Sequence, residues 1–266
     1  MKTLKFKTLL VTFVAAITLS SCLSDNDVTD YPHYSSYVTV GGDGMFGYTF
    51  YADFGATLIP TTESIQEVIP GLTNSDVKRM YISFDLVPDS DNGKTLEAGN
   101  TYRIALKAAY GSNIPLPTYT TIDIAGNQTA ADSLTTKNQP INTIDNKIWA
   151  INGYVNAAMT IDYDYNKSFY MNTYYNHETD VDLENETLYL NLYYNSNTSY
   201  ANQQGNSVFS FELPKQAAYQ FNTNGFNNND SINLVLRAMT NQSSQMMEVG
   251  KCKMAVKDFY VPGSGF

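Results

Sequence analysis

Ile82, Phe84 and Leu86 alternate with Tyr81, Ser83 and Asp85, a period of two that belongs to a half-buried strand and not to a helix. The alternation recurs along the chain. Tyr102, Ile104 and Leu106 interleave with Arg103, Ala105 and Lys107, and Met159, Ile161, Tyr163 and Tyr165 with Thr160, Asp162 and Asp164. Leu188, Leu190 and Leu192 interleave with Tyr189, Asn191 and Tyr193, and Phe209, Phe211, Leu213 and Ile232, Leu234, Leu236 repeat the pattern. Turn-forming clusters at Gly41-Gly42-Asp43-Gly44, Asp53-Phe54-Gly55 and Asp89-Ser90-Asp91-Asn92-Gly93 separate the runs, as glycine and short polar side chains do between strands. The chain is therefore expected to be all-β.

Two modules are expected. Residues 35–126 hold short strands with little helical periodicity, the last at 118–124, and suit a small antiparallel barrel. Residues 127–143, NQTAADSLTTKNQPINT, are polar and carry Pro140, which reads as a linker. In residues 144–266 each strand has one apolar face, as in two antiparallel sheets packed into a sandwich, with 249–259 closing it.

The N-terminus sets the expected location. Lys2, Lys5 and Lys7 precede an apolar run at 9–19, and Leu19-Ser20-Ser21-Cys22 follows. That run is shorter than the about 20 apolar residues a membrane-spanning helix needs, so residues 1–21 read as a cleaved signal. The Leu-Ser-Ser-Cys end resembles a lipobox, with Cys22 the lipidated N-terminus of the mature chain. Residues 22–34 then form an acidic tether. The formal charge is −10 with the signal lysines included, so the mature chain is more acidic still. Such a chain repels phosphate backbones and anionic bilayers, which argues against a nucleic-acid partner and leaves the lipid to hold it at a membrane. Acyl chains suffice, because each buried CH₂ contributes about 0.8 kcal/mol. With Cys22 acylated, Cys252 has no partner for a disulfide; it reads as a small buried strand residue, although Lys251 and Lys253 beside it could activate its thiol.

Taken in order, the lipobox, the acidic spacer, a barrel-sized β segment, the block Ile148-Trp149-Ala150-Ile151-Asn152-Gly153-Tyr154 and the strand from Met159 to Tyr165 resemble the NigD-like family of bacterial envelope lipoproteins. The resemblance implies an OB-type barrel followed by a β-sandwich, an outer-membrane lipoprotein facing the periplasm or the cell surface, and a link to bacteriocin biology, from which the family takes its name. It carries no catalytic residue across.

Several clusters carry side chains suited to chemistry. Gly42, Gly44 and Gly47 spell a dinucleotide fingerprint, but a strand pattern follows where a helix is required, so they read as hairpin glycines. Asp162-Tyr163-Asp164-Tyr165-Asn166 places oxygens at alternate positions, yet Lys167 and Thr173 stand where a calcium loop needs glycine and glutamate. Asp180, Asp182, Glu184 and Glu186 read as a solvated run, and His33 and His177 are too isolated to suggest a zinc site or a triad. No metal and no cofactor is expected. Asp132-Ser133-Leu134 and Asp230-Ser231-Ile232 are short enough to arise by chance as apparent O-glycosylation triplets. The least ordinary feature is tyrosine: Tyr189 and Tyr193 around Asn191, and Tyr170 and Tyr174 around Asn172, are expected to face solvent and present rings and amides to a ligand. The leading reading is a non-enzymatic accessory module that binds a protein or peptide. A surface glycan-binding lipoprotein comes second and a hydrolase with an unrecognised site third.

Overall fold

The structure is a computed structural model that describes residues 34–43, 47–72, 77–87, 95–109, 111–198 and 201–263. Cys22, His33, the 44–46 turn tip and the 89–93 turn lie outside the described residues.

The first module comprises β1 (Tyr34–Asp43), β2 (Gly47–Ala52), β3 (Thr57–Pro60), α1 (Thr62–Val68), β4 (Arg79–Leu86), β5 (Thr101–Leu106) and β6 (Ile114–Leu116). The strands run in the order β1-β2-β3-β5-β4, and β1 also pairs with β4, so five strands close into a barrel. Closure works because β1 is long: its second half pairs with β2 from Val38 to Asp43 and its first half with β4 from Tyr34 to Thr39. The pairing of β3 with β5 is parallel, where an all-antiparallel barrel was expected. This order, with a helix between β3 and β4, is that of an OB-type barrel. The interior is filled by the alternating residues, among them Val38, Phe50, Leu58, Ile82, Phe84 and Ile104, all fully buried. Each contributes roughly 1.5–3 kcal/mol on burial. α1 is capped by Thr61, whose hydroxyl accepts from the Ser64 amide, and Ile65, Val68 and Ile69 pack on the barrel core.

The second module comprises β7 (Thr118–Tyr119), β8 (Thr121–Asp123), α2 (Gln128–Thr136), β9 (Thr143–Ile151), β10 (Tyr154–Tyr163), β11 (Tyr170–Tyr175), β12 (Val181–Asp182), β13 (Thr187–Asn195), β14 (Gln203–Glu212), α3 (Lys215–Thr223), β15 (Ser231–Thr240), β16 (Ser243–Ala255) and a closing 3₁₀ turn at Val256–Phe259. One sheet is ordered β7-β14-β10-β9 and the other β16-β15-β13-β11-β8, with β12 beside β13. Their facing sides bury Val155, Met159, Leu188, Leu190, Leu192, Phe211, Leu234 and Leu236 in one core. β13 and β15 are parallel, so the sandwich is mixed.

Two expected boundaries move. The strand at 118–124 leaves the barrel: β7 pairs with β14 and β8 with β11, so one short strand bridges both sheets of the sandwich. The module boundary therefore falls at Pro117, where a residue without an amide proton interrupts the ladder. Residues 127–143 are not a plain linker either. Asn127 caps α2 by accepting from the Ala130 amide, and Asn138 and Gln139 then bond the end of β13.

At Gly250 on β16 the two sheets approach closely. A Cβ there would lie 2.1 Å from Ile148 Cδ1 on β9. Gly250→Ala is expected to cost about 1–3 kcal/mol through overpacking, measured by urea unfolding, and adding Ile148→Val, which removes the obstructing methyl, should recover part of that loss. A neutral Gly250→Ala would show that the sheets can separate freely at this point.

Candidate functional site

The tightest cluster of polar side chains lies between barrel and sandwich. Arg79, the first residue of β4, is fully buried. Both of its terminal nitrogens reach Asp53 in the β2–β3 turn, each at 2.6 Å, as a two-point ion pair. Arg79 Nη1 also donates to Thr39 Oγ1 at 2.9 Å, and Nη2 to Asn156 Oδ1 on β10 at 2.9 Å. From the sandwich, Trp149 Nε1 donates to Asp53 Oδ2 at 2.6 Å, and Ser210 Oγ donates to Asn156 Oδ1 at 2.7 Å. The guanidinium carbon sits 5.5 Å from the Tyr154 ring centroid, and Trp149 packs on Tyr37 at 5.6 Å.

A hairpin tip completes the contact. Asn152 and Gly153 join β9 to β10 with φ of 53° and 86°, the left-handed pair a tight two-residue hairpin takes and Asn-Gly favours. At Gly153 a Cβ would also press on Val261. Asn152 Nδ2 donates to the Tyr51 carbonyl at 3.3 Å, and Thr39 Oγ1 donates back to the Asn152 carbonyl at 3.5 Å. Arg79 Nε has no hydrogen-bond partner among the described residues, a cost the pair with Asp53 must outweigh. Among the described residues, no other fully buried side-chain nitrogen or oxygen of this cluster lacks a partner. The arrangement locks two modules together.

The tyrosine face is covered. Tyr174, Tyr193 and Asn191 are only 5%, 8% and 9% exposed, where solvent-facing side chains were expected. Leu134 of α2 seats on Tyr174 and Tyr193, with Ile122 and Ile124 beside them. The segment read as a linker is the lid on the sheet it was expected to leave bare. Burial, then the Asp180 charge, raises the Tyr174 hydroxyl pKa above its ordinary value. Tyr189 is half-buried, and the Arg237 guanidinium lies 3.9 Å over its ring centroid, which occupies the face a sugar would stack on. Asn191 Nδ2 donates to Asp180 Oδ2 at 3.4 Å. Of the expected set only Tyr170, 57% exposed, presents its ring to solvent.

The remaining candidates resolve individually. Asp162 Oδ1 accepts from Asn142 and Gln204, and Asp164 Oδ1 from the Asn166 amide, so amides hold the carboxylates of the calcium-like run. Asp180 pairs with Arg237 at 3.5 Å while Asp182 accepts from the Asn185 amide, so these two carboxylates are held by separate partners. No group of three or more metal-type side chains occurs among the described residues. His177 Nδ1 lies 2.7 Å from Asp123 Oδ2. Burial raises the Asp123 pKa, but hydrogen bonds from the Ala125 amide and from His177 outweigh it, so the carboxyl titrates below its ordinary value. Burial pushes the Cys252 thiol up to about 11, so the neighbouring lysines do not activate it. In the barrel, Arg79 is spent in the interface and Lys107 pairs with Asp85 at 3.2 Å. Ser133 and Ser231 are both exposed.

Barrel, lock and mixed sandwich define a class of protein: an OB-type module fused rigidly to a β-sandwich. Residues 123–249 match the family model of the NigD-like C-terminal beta sandwich domain. Solved structures share the whole arrangement. A protein named as toxin related from Parabacteroides distasonis is 17% identical, with a TM-score of 0.57 over 85% of this chain and 95% of that one. A protein of unknown function from Bacteroides vulgatus is 17% identical, with a TM-score of 0.53 over 88% and 92%. A protein named as a lipoprotein from Bacteroides fragilis is 12% identical, with a TM-score of 0.52 over 84% and 98%. These establish a shared fold. No curated protein matches the sequence.

Removing either half of the buried ion pair leaves an unpaired charge in the interface. Arg79→Met or Asp53→Ala alone is expected to cost about 3–5 kcal/mol, read by urea unfolding through the fluorescence of Trp149, the sole tryptophan. The double variant should cost less than the two losses added together. Single losses near zero would remove the lock from the account.

Proposed function

We propose that this chain is a non-enzymatic, lipid-anchored binding module of a Gram-negative outer membrane, acting on a protein or peptide partner in bacteriocin production, export or self-protection. The observation that carries the anchoring is the Leu19-Ser20-Ser21-Cys22 end of the apolar N-terminal run. A B. fragilis protein of the same fold that is named as a lipoprotein agrees with it. The bacteriocin connection draws on the NigD-like sandwich, and a relative named as toxin related points the same way. The accessory role draws on the Arg79–Asp53 lock, which commits the interior polar groups to holding two modules in one orientation. A rigid two-module body suits presentation of a preformed surface, which lowers the ordering cost of binding.

Mass spectrometry of the purified native protein should find Cys22 as the N-terminal residue with acyl chains on its sulfur and amine, and Cys22→Ala should move the protein out of the membrane fraction. An unmodified thiol or a retained leader would refute the anchoring. Crosslinking in the native envelope should capture one specific partner, and deletion should change sensitivity to kin-derived bacteriocins. Unchanged sensitivity together with no partner would refute the accessory role.

A further inference from the structure

One edge of the sandwich is left half-finished. β7 pairs with β14 only at Ser210 and Phe211, because the chain leaves this edge at Pro117 to enter the barrel. The preceding run of β14, residues 203–208, pairs with β10 on one flank and with no described strand on the other, while β6 passes close to β14 without pairing. Alternate residues of an antiparallel strand direct N–H and C=O to opposite flanks, so among the described residues this run presents an unpaired ladder. Gln203, Gln204, Asn206 and Ser207 are exposed.

Exposed edges are usually blunted by lysine, proline, a bulge or a covering helix. Here the sequence is Gln-Gln-Gly-Asn-Ser-Val, with neither lysine nor proline, and its register with β10 runs unshifted from Tyr154 to Tyr163. The edge is straight, uncharged and continuous with positions where a parallel strand of this chain already docks. A tyrosine marks its open end: Tyr165, 80% exposed, donates its amide to Asn202 Oδ1 at 3.3 Å. Two carboxylates share that end: Asn202 Nδ2 donates to Asp164 Oδ1 at 3.2 Å, and Gln204 Nε2 to Asp162 Oδ1 at 3.3 Å. Against them stands Lys167 in the same turn, on a chain of net charge −10.

We infer that the 203–208 edge of β14 binds an extended, cationic peptide segment of a partner protein by strand addition. Backbone pairing supplies affinity and alternate side chains supply selectivity. Asp162, Asp164 and the acidic body favour lysine- or arginine-bearing strands, and the exposed Tyr165 ring can accept a cation on its face. The acidic body disfavours a second copy of this chain in the same place. This inference rests on the binding-module reading and specifies its partner.

Hydrogen–deuterium exchange on the purified full-length lipoprotein in detergent tests it, with a short synthetic peptide of alternating lysine and valine and its glutamate–valine twin. The lysine peptide should slow exchange across 203–208 by about tenfold or more while β5 of the barrel is unaffected, and the glutamate peptide should not. Asp162→Asn with Asp164→Asn should weaken the lysine peptide without shifting the protected region. Unchanged exchange with both peptides, or equal protection by both, would overturn the inference. So would an edge already protected in the free protein where sedimentation shows a dimer, since a second copy would then occupy it. A specific envelope partner whose binding leaves 203–208 exchanging freely would overturn the edge site and leave the binding module intact.

Discussion

A guanidinium sealed between two β modules governs how this protein is put together. Arg79 is fully buried, and a carboxylate from the barrel and an amide from the sandwich meet on it at 2.6 and 2.9 Å. Taking both ions of such a pair out of water is expensive, and the cost is recovered only where the geometry is close and further hydrogen bonds serve the carboxylate lone pairs and guanidinium protons. Trp149 donates to the carboxylate, and Thr39 and Asn156 accept from the guanidinium. Because the satisfying groups come from both modules, the pair is well solvated by protein only when barrel and sandwich sit in this one orientation. Apolar contact alone tolerates sliding; a two-point ion pair with directed donors does not.

The same economy of short segments appears elsewhere. Residues 118–123 pair first with one sheet of the sandwich and then with the other, so a single strand closes half of one side. α2 buries one leucine and with it covers two tyrosines. The 3₁₀ turn buries Val256 and Phe259 against the sandwich core. The upper half of the β14 edge is where this stitching stops.

The alternating runs were legible because burial on one side of a strand imposes a period of two, and the strands from Arg79 to Leu86 and Thr187 to Asn195 lie where that period places them. Strand pairing was not legible, since a strand's own pattern says which face is buried and nothing about its neighbour; hence the parallel β3–β5 and β13–β15 pairs. α2 was missed because one leucine in nine residues leaves almost no helical periodicity, although Asn127 was an available cap signal. The tyrosine face was misread for the same reason: alternation places Tyr174 and Tyr193 opposite the leucines but cannot show what lies above them. The interface is not legible either: Asp53 reads as a turn residue, and nothing in the sequence around Arg79 marks its charge for burial.

If the lock makes one cooperative body of two modules, barrel and sandwich must unfold together. Pulsed hydrogen–deuterium exchange through a urea series, read separately at barrel strands β2 and β3 and at sandwich strand β13, measures this directly. Coincident transitions at one urea concentration are what the account requires. A barrel that opens at lower urea while β13 stays protected would contradict it.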